Sequence, residues 1–157
     1  MKEKTCCFTG HRKIPPEDLE EISRRLELTV MRLIEKGYRY FGAGGAMGFD
    51  TLAAQTVWKL KTAYPDIQLI LVLPCENQAE YWKTEDRALY EDIKAKADKV
   101  VYTSKAYFRG CMHKRNRYLV DNSSCCICYL TKETGGTAYT VQYAKEKMLT
   151  IYAIANA

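Results

Sequence analysis

Six short apolar runs, at residues 4–9, 38–42, 67–73, 99–103, 125–130 and 149–154, alternate with longer segments of helical periodicity, and this alternation most limits the folds open to the chain. The run at 67–73 is almost unbroken in its apolarity and is stopped by Pro74, as expected of a strand covered on both faces. Between the first two runs, Leu19, Ile22, Leu26, Val30, Leu33 and Ile34 fall at helical spacing, after Pro15-Pro16 and before Gly37. Leu52, Ala53, Thr56, Val57 and Leu60 repeat the pattern over 49–62, and further helices are expected over 79–97, 112–121 and 139–147. Strands that alternate with helices imply parallel pairing with right-handed crossovers. The expected fold is therefore α/β, a Rossmann-like three-layer sandwich with a mostly parallel sheet of about six strands and helices on both faces. A length of 157 residues suits a single domain over 1–157, and neither linker nor internal repeat interrupts it.

Composition narrows the function classes. No apolar stretch reaches about 18 residues, which excludes a membrane-spanning helix. Met1-Lys2-Glu3-Lys4-Thr5 runs straight into a strand-like segment without a signal-peptide pattern, so a cytoplasmic location is expected. Net charge is +5, from 24 Lys and Arg against 19 Asp and Glu, which suits an anionic ligand. The basic residues are scattered, however, and the densest cluster is His113-Lys114-Arg115-Asn116-Arg117, which argues against a nucleic-acid partner. Most of the seven cysteines lie inside apolar runs, as in Cys6-Cys7 and Cys125-Cys126-x-Cys128. Adjacent strand residues point to opposite faces, no Cys-x-x-Cys occurs and only two histidines are present. Buried reduced thiols are expected, with no metal and no cofactor.

Three segments that follow apolar runs carry the chemistry: Thr9-Gly10-His11-Arg12, Gly42-Ala43-Gly44-Gly45-Ala46-Met47-Gly48-Phe49-Asp50 and Thr134-Gly135-Gly136-Thr137. In an open α/β sheet the strand ends face one crevice, where distant segments converge. Glycine lets the backbone approach a ligand, and free N–H groups at a helix start favour an anion. Gly10, Arg12, Gly44, Gly45, Gly135, Gly136 and Thr137 are thus candidate phosphate contacts, with Thr9, His11 and Gly48 as further candidate ligand contacts beside them. Each glycine segment has a plain alternative as a tight turn. Arg115 and Asn116, beside His113, start a helix that can reach the same crevice. Asp50 can cap its helix or accept from a sugar hydroxyl or base amine. Gln78 and Trp82 are candidates for reading the sugar or base, and Trp82 serves equally well as core.

Taken in order, these segments resemble the YpsA family of the SLOG superfamily. The resemblance rests on Thr9-Gly10-His11-Arg12, Gly45 to Asp50, Leu73-Pro74 with Gln78 and Trp82, Gly110-Cys111-Met112 with Arg115-Asn116, and Gly135-Gly136-Thr137 with Tyr143-Ala144. The superfamily groups the DNA-processing protein DprA (Smf) with the "lonely guy" phosphoribohydrolases. The resemblance implies a Rossmann-like fold and a pocket for a nucleotide-related small molecule, such as an ADP-ribose-like or cyclic nucleotide. A homodimer is compatible with it. In the phosphoribohydrolases an Arg acts with the Glu of a Pro-Gly-Gly-x-Gly-Thr-x-x-Glu motif. Arg115 matches the former, whereas the Glu position falls on Thr140 or Gln142. Glycoside hydrolysis needs a carboxylate near the anomeric carbon, which here leaves Asp50 or Glu76.

The expected function is binding or sensing of a nucleotide-derived, phosphate-bearing ligand. An N-glycoside hydrolase acting on nucleoside monophosphates through Arg115 with Asp50 or Glu76 is the first alternative, and single-stranded nucleic-acid binding of DprA type the second.

Overall fold

A computed structural model describes residues 1–155 of the chain. Six strands, β1 (Thr5–Gly10), β2 (Tyr40–Ala43), β3 (Gln68–Leu73), β4 (Lys99–Tyr102), β5 (Cys125–Tyr129) and β6 (Thr150–Ala153), form one sheet in the order β4-β3-β2-β1-β5-β6. All five pairings are parallel. Five helices connect them: α1 (Leu19–Glu35), α2 (Phe49–Leu60), α3 (Thr84–Lys96), α4 (Cys111–Asp121) and α5 (Gly136–Glu146). The fold is the α/β Rossmann-like sandwich that the alternation of runs implies.

The strand alternation sorts side chains into two cores. Phe8, Phe41, Leu69, Leu71 and Ile127 point to the face that buries Leu26, Val30, Ala53, Val57 and Ile93 of α1, α2 and α3. Cys7, Val72, Cys126 and Cys128 point the other way, against Leu119 and Val120 of α4 and Val141 and Ala144 of α5. Each fully buried large apolar side chain contributes roughly 1.5–3 kcal/mol, so this double coverage holds the central strands. Cys6 and Cys7 fall in different cores, as their adjacency requires. All seven cysteines are buried and free.

Two helix boundaries differ from the periodicity. Residues 76–81 form turns, and α3 begins at Thr84 rather than near 79. Conversely α5 begins at Gly136, three residues before the apolar pattern starts, which draws the Gly-Gly-Thr segment into the first helical turn.

Sequence order reverses between β1 and β5, which are neighbours in the sheet. The loops leaving their carboxyl ends therefore diverge and open a crevice, the place where α/β sheets bind ligands.

Candidate functional site

Three helices are each preceded by a glycine of positive φ: α2 by Gly48 (78°), α4 by Gly110 (94°) and α5 by Gly135 (103°). None of the three carries a side-chain cap; in α4 the Cys111 N–H is spent on the Phe108 carbonyl at 3.0 Å, whereas the Gly136 and Thr137 amides of α5 remain available to an anion. Residues from the first two turns of each helix reach one cavity of about 510 Å³ at the β1/β5 crevice. Asp50 comes from α2, Met112, Arg115 and Asn116 from α4, and Gly136 and Thr137 from α5. The loop after β1 adds Thr9 to Arg12, and the loop after β5 adds Lys132, Thr134 and Gly135. Three cations thus face one carboxylate.

Two of those charges are deeply buried. Arg115 is 4% exposed and Asp50 7% exposed. Arg115 donates through Nε to Asn116 Oδ1 at 2.7 Å and through Nη1 to the Gly44 carbonyl. Asp50 accepts the Ala46 N–H at 3.2 Å. The two do not join in an ion pair: Gly44 lies between them, where a Cβ would fall 2.6 Å from Arg115 Nη1 and 2.8 Å from Asp50 Oδ2. Burial pushes the Asp50 carboxyl above its ordinary pKa, although Arg115 and Arg12 pull the other way. Burial likewise lowers the Arg115 guanidinium, which the charge of Asp50 partly restores. Isolated buried charges cost free energy, and these two are held apart at the wall of one cavity.

His11 is set differently. The Thr131 N–H donates to its Nε2 at 2.8 Å, so that nitrogen is unprotonated and the ring's hydrogen sits on Nδ1. Partial burial and then the charge of Lys132 hold its pKa below the ordinary histidine range. Neutral His11 packs edge-on against Tyr129, with ring centroids 5.7 Å apart, and ties the β1 loop to the β5 loop. Its acceptor nitrogen is already engaged, which removes the simplest route to a general-base role.

The glycine-rich turn after β2 serves packing. Gly44 makes room for Arg115 and Asp50; a Cβ on Gly45 would meet Leu73 at 2.3 Å, and one on Gly48 the Arg12 carbonyl oxygen at 2.1 Å. The Phe49 N–H donates to the His11 carbonyl at 3.1 Å, stitching this turn to the β1 loop. None of these three glycines lines the cavity, whereas Gly10, Gly135 and Gly136 do. A Cβ on Gly136 would meet nothing within 4 Å.

Three further candidates also stand apart from the cavity. Glu76 is exposed, and its backbone N–H donates to the Lys105 carbonyl. Gln78 donates to the Gly45 carbonyl at 3.0 Å, supporting the turn from behind. Trp82 lines a separate cavity on the far side of that turn. The sequence reading missed Lys132, Met112 and Ala46. Lys132 was signalled only by its place in the β5–α5 loop. On α5, Thr140 Oγ1 donates to the Gly136 carbonyl at 2.9 Å, and no carboxylate of this helix lines the cavity.

Among the described residues no helix is long and apolar enough to cross a membrane, and no cluster of three or more His, Cys, Asp or Glu side chains is placed to hold a metal ion.

Comparison with known proteins identifies relatives in sequence and in fold. A UPF0398 protein of Halalkalibacterium halodurans is 33% identical over 129 residues, which span 80% of this chain and 68% of that protein. Another, from Bacillus cereus, is 27% identical over 132 residues, 82% of this chain and 72% of its own. The solved structure of DprA from Streptococcus pneumoniae superposes with a TM-score of 0.70 at 16% identity, covering 97% of this chain and 50% of that one. DprA from Helicobacter pylori, whose structure concerns its single-stranded DNA binding mode, gives 0.67 at 18% identity and covers 97% and 65%. The chain spans between half and two thirds of these DprA chains, and the likeness is one of fold. The family model described as the YspA SLOG family, YpsA, matches residues 8–155, and the chain belongs to that family.

Proposed function

We propose that the β1/β5 cavity binds a nucleotide-derived, phosphate-bearing small molecule and that the protein acts as a binding or sensor module. The reading is carried by Asp50 and Arg115, buried, opposite in charge and unpaired at the wall of one cavity. Its phosphate would lie over the first turn of α5, against Gly135, Gly136 and Thr137, with Arg12, Arg115 and Lys132 supplying positive charge. Asp50 would accept from a ribose hydroxyl or a base amine. A volume of about 510 Å³ falls in the range of small-molecule sites.

Asp50 also supports a second reading. A buried carboxyl of raised pKa in the same cavity as Arg115 suits N-glycoside hydrolysis. Glu76 has no part in it.

The experiment is a thermal-melting screen against nucleoside mono- and diphosphates and ADP-ribose, with chromatography of each mixture for released base. A melting point raised by a nucleotide that is recovered intact supports the sensor reading. Released base, lost in Arg115→Ala and Asp50→Asn, establishes the hydrolase instead. No shift and no turnover with any of them removes both.

A further inference from the structure

The Gly44–Gly48 turn is a wall between two cavities of opposite character. Asp50 accepts the Ala46 N–H from one side, and Thr51 Oγ1 donates to the Ala46 carbonyl at 3.0 Å from the other, so adjacent residues of α2 pin both polar groups of one turn residue. Behind this wall, between α1, α2 and α3, lies a second cavity of about 340 Å³. Met47, Leu52, Trp82, Leu89 and Tyr90 give it an apolar and aromatic lining. Trp82 and Tyr90 meet edge to face with centroids 5.2 Å apart. Ser23, Gln55 and Thr51 supply polar groups, and its sole charged lining residue is Asp86.

We propose that this second cavity is a binding site of its own, for an uncharged planar heteroaromatic ring. Charge separates it from the first: Arg12, Arg115 and Lys132 line one cavity, whereas no cation lines the other and Asp86 repels phosphate there. Aromatic rings associate edge to face or in offset stacks, and Trp82 with Tyr90 presents such surfaces. Asp86 and Gln55 add acceptors for ring amines. Small-molecule sites have this composition, mostly apolar with a few convergent polar groups. The site stands whether or not the first cavity takes a phosphate.

Trp82 reports on its own cavity once the other tryptophan, Trp58, is changed to Phe. In that background adenosine is titrated against Trp82 emission, with inorganic phosphate as a parallel probe. Adenosine is expected to change the emission saturably, and phosphate to leave it unaltered. The response should persist in Arg115→Ala and disappear in Gln55→Phe and in Ser23→Leu, which fill the second cavity from two helices. Circular dichroism checks that each variant folds. A silent Trp82 overturns the proposal, as does a response that survives both filling variants. A response abolished by Arg115→Ala would place the ring in the first cavity, and that too overturns it. Loss of nucleotide binding at the first cavity alone would count against the proposed function and leave this site intact.

Discussion

Asp50 and Arg115 face one another across Gly44 without touching, both almost wholly buried. A fold selected for stability alone would pair these charges or replace them with apolar groups. Asp50→Asn keeps an oxygen for the Ala46 N–H and removes the buried charge. The folded-state pKa of Asp50 lies above its unfolded value of 3.8. Between those values the folded chain holds its proton more tightly than the unfolded chain, so stability falls as pH rises through that window. Asp50→Asn should therefore melt higher than the parent at pH 7, with the difference closing below pH 3.8. The same variant should lose nucleotide affinity by roughly 10–100-fold. Calorimetric melting at several pH values and a binding titration check the two halves.

Protonation of His11 should work in the opposite direction. The Thr131 N–H needs a bare Nε2, and the folded-state pKa lies below 6.5. As pH falls from 6.5 toward that lower value the unfolded chain takes up the proton first, so stability declines through the window and is unaffected by His11 above it. In His11→Gln, which cannot titrate there, the slope of melting temperature between pH 8 and 5 should be shallower.

The glycines divide into two kinds that substitution separates. Gly48→Ala forces a side chain into positive φ and onto the Arg12 carbonyl, and should cost at least about 2 kcal/mol in denaturant unfolding. Gly136→Ala meets open space in a helical turn and should change stability by about 1 kcal/mol or less, in the favourable direction. Its methyl group would stand where the phosphate is proposed, so nucleotide affinity should fall while the fold persists.

The sequence made the sheet legible because each buried strand carries apolar residues on both faces, as 67–73 and 125–129 do. It also made the convergence of Thr9–Arg12 with Gly135–Thr137 legible, since the strand ends of such a sheet share one crevice. What it concealed was tertiary. Nothing local indicates that the space over Gly44 is taken by Arg115 and Asp50, or that Gly45 and Gly48 clear Leu73 and Arg12. A glycine that admits a ligand and one that admits a neighbouring side chain read alike. Gln78 and Trp82 follow a strand end as the motif residues do, yet the turn itself separates them from the β1/β5 cavity.

Glu76 offers a check on this geometry. It is exposed and outside the cavity, so Glu76→Gln should leave nucleotide affinity, and any base release, within about twofold of the parent. Steady-state assays alongside Asp50→Asn make the comparison.

The central claim is that Arg115 and its surroundings hold the phosphate of a nucleotide-like ligand. Isothermal titration of the parent protein and of Arg115→Ala with adenosine 5′-monophosphate and adenosine 5′-diphosphate tests it most directly, with circular dichroism to verify that the variant folds. Saturable one-site binding of at least one nucleotide by the parent, abolished in folded Arg115→Ala, is the predicted result. Absence of binding by the parent, or equal binding by the two proteins, would contradict it.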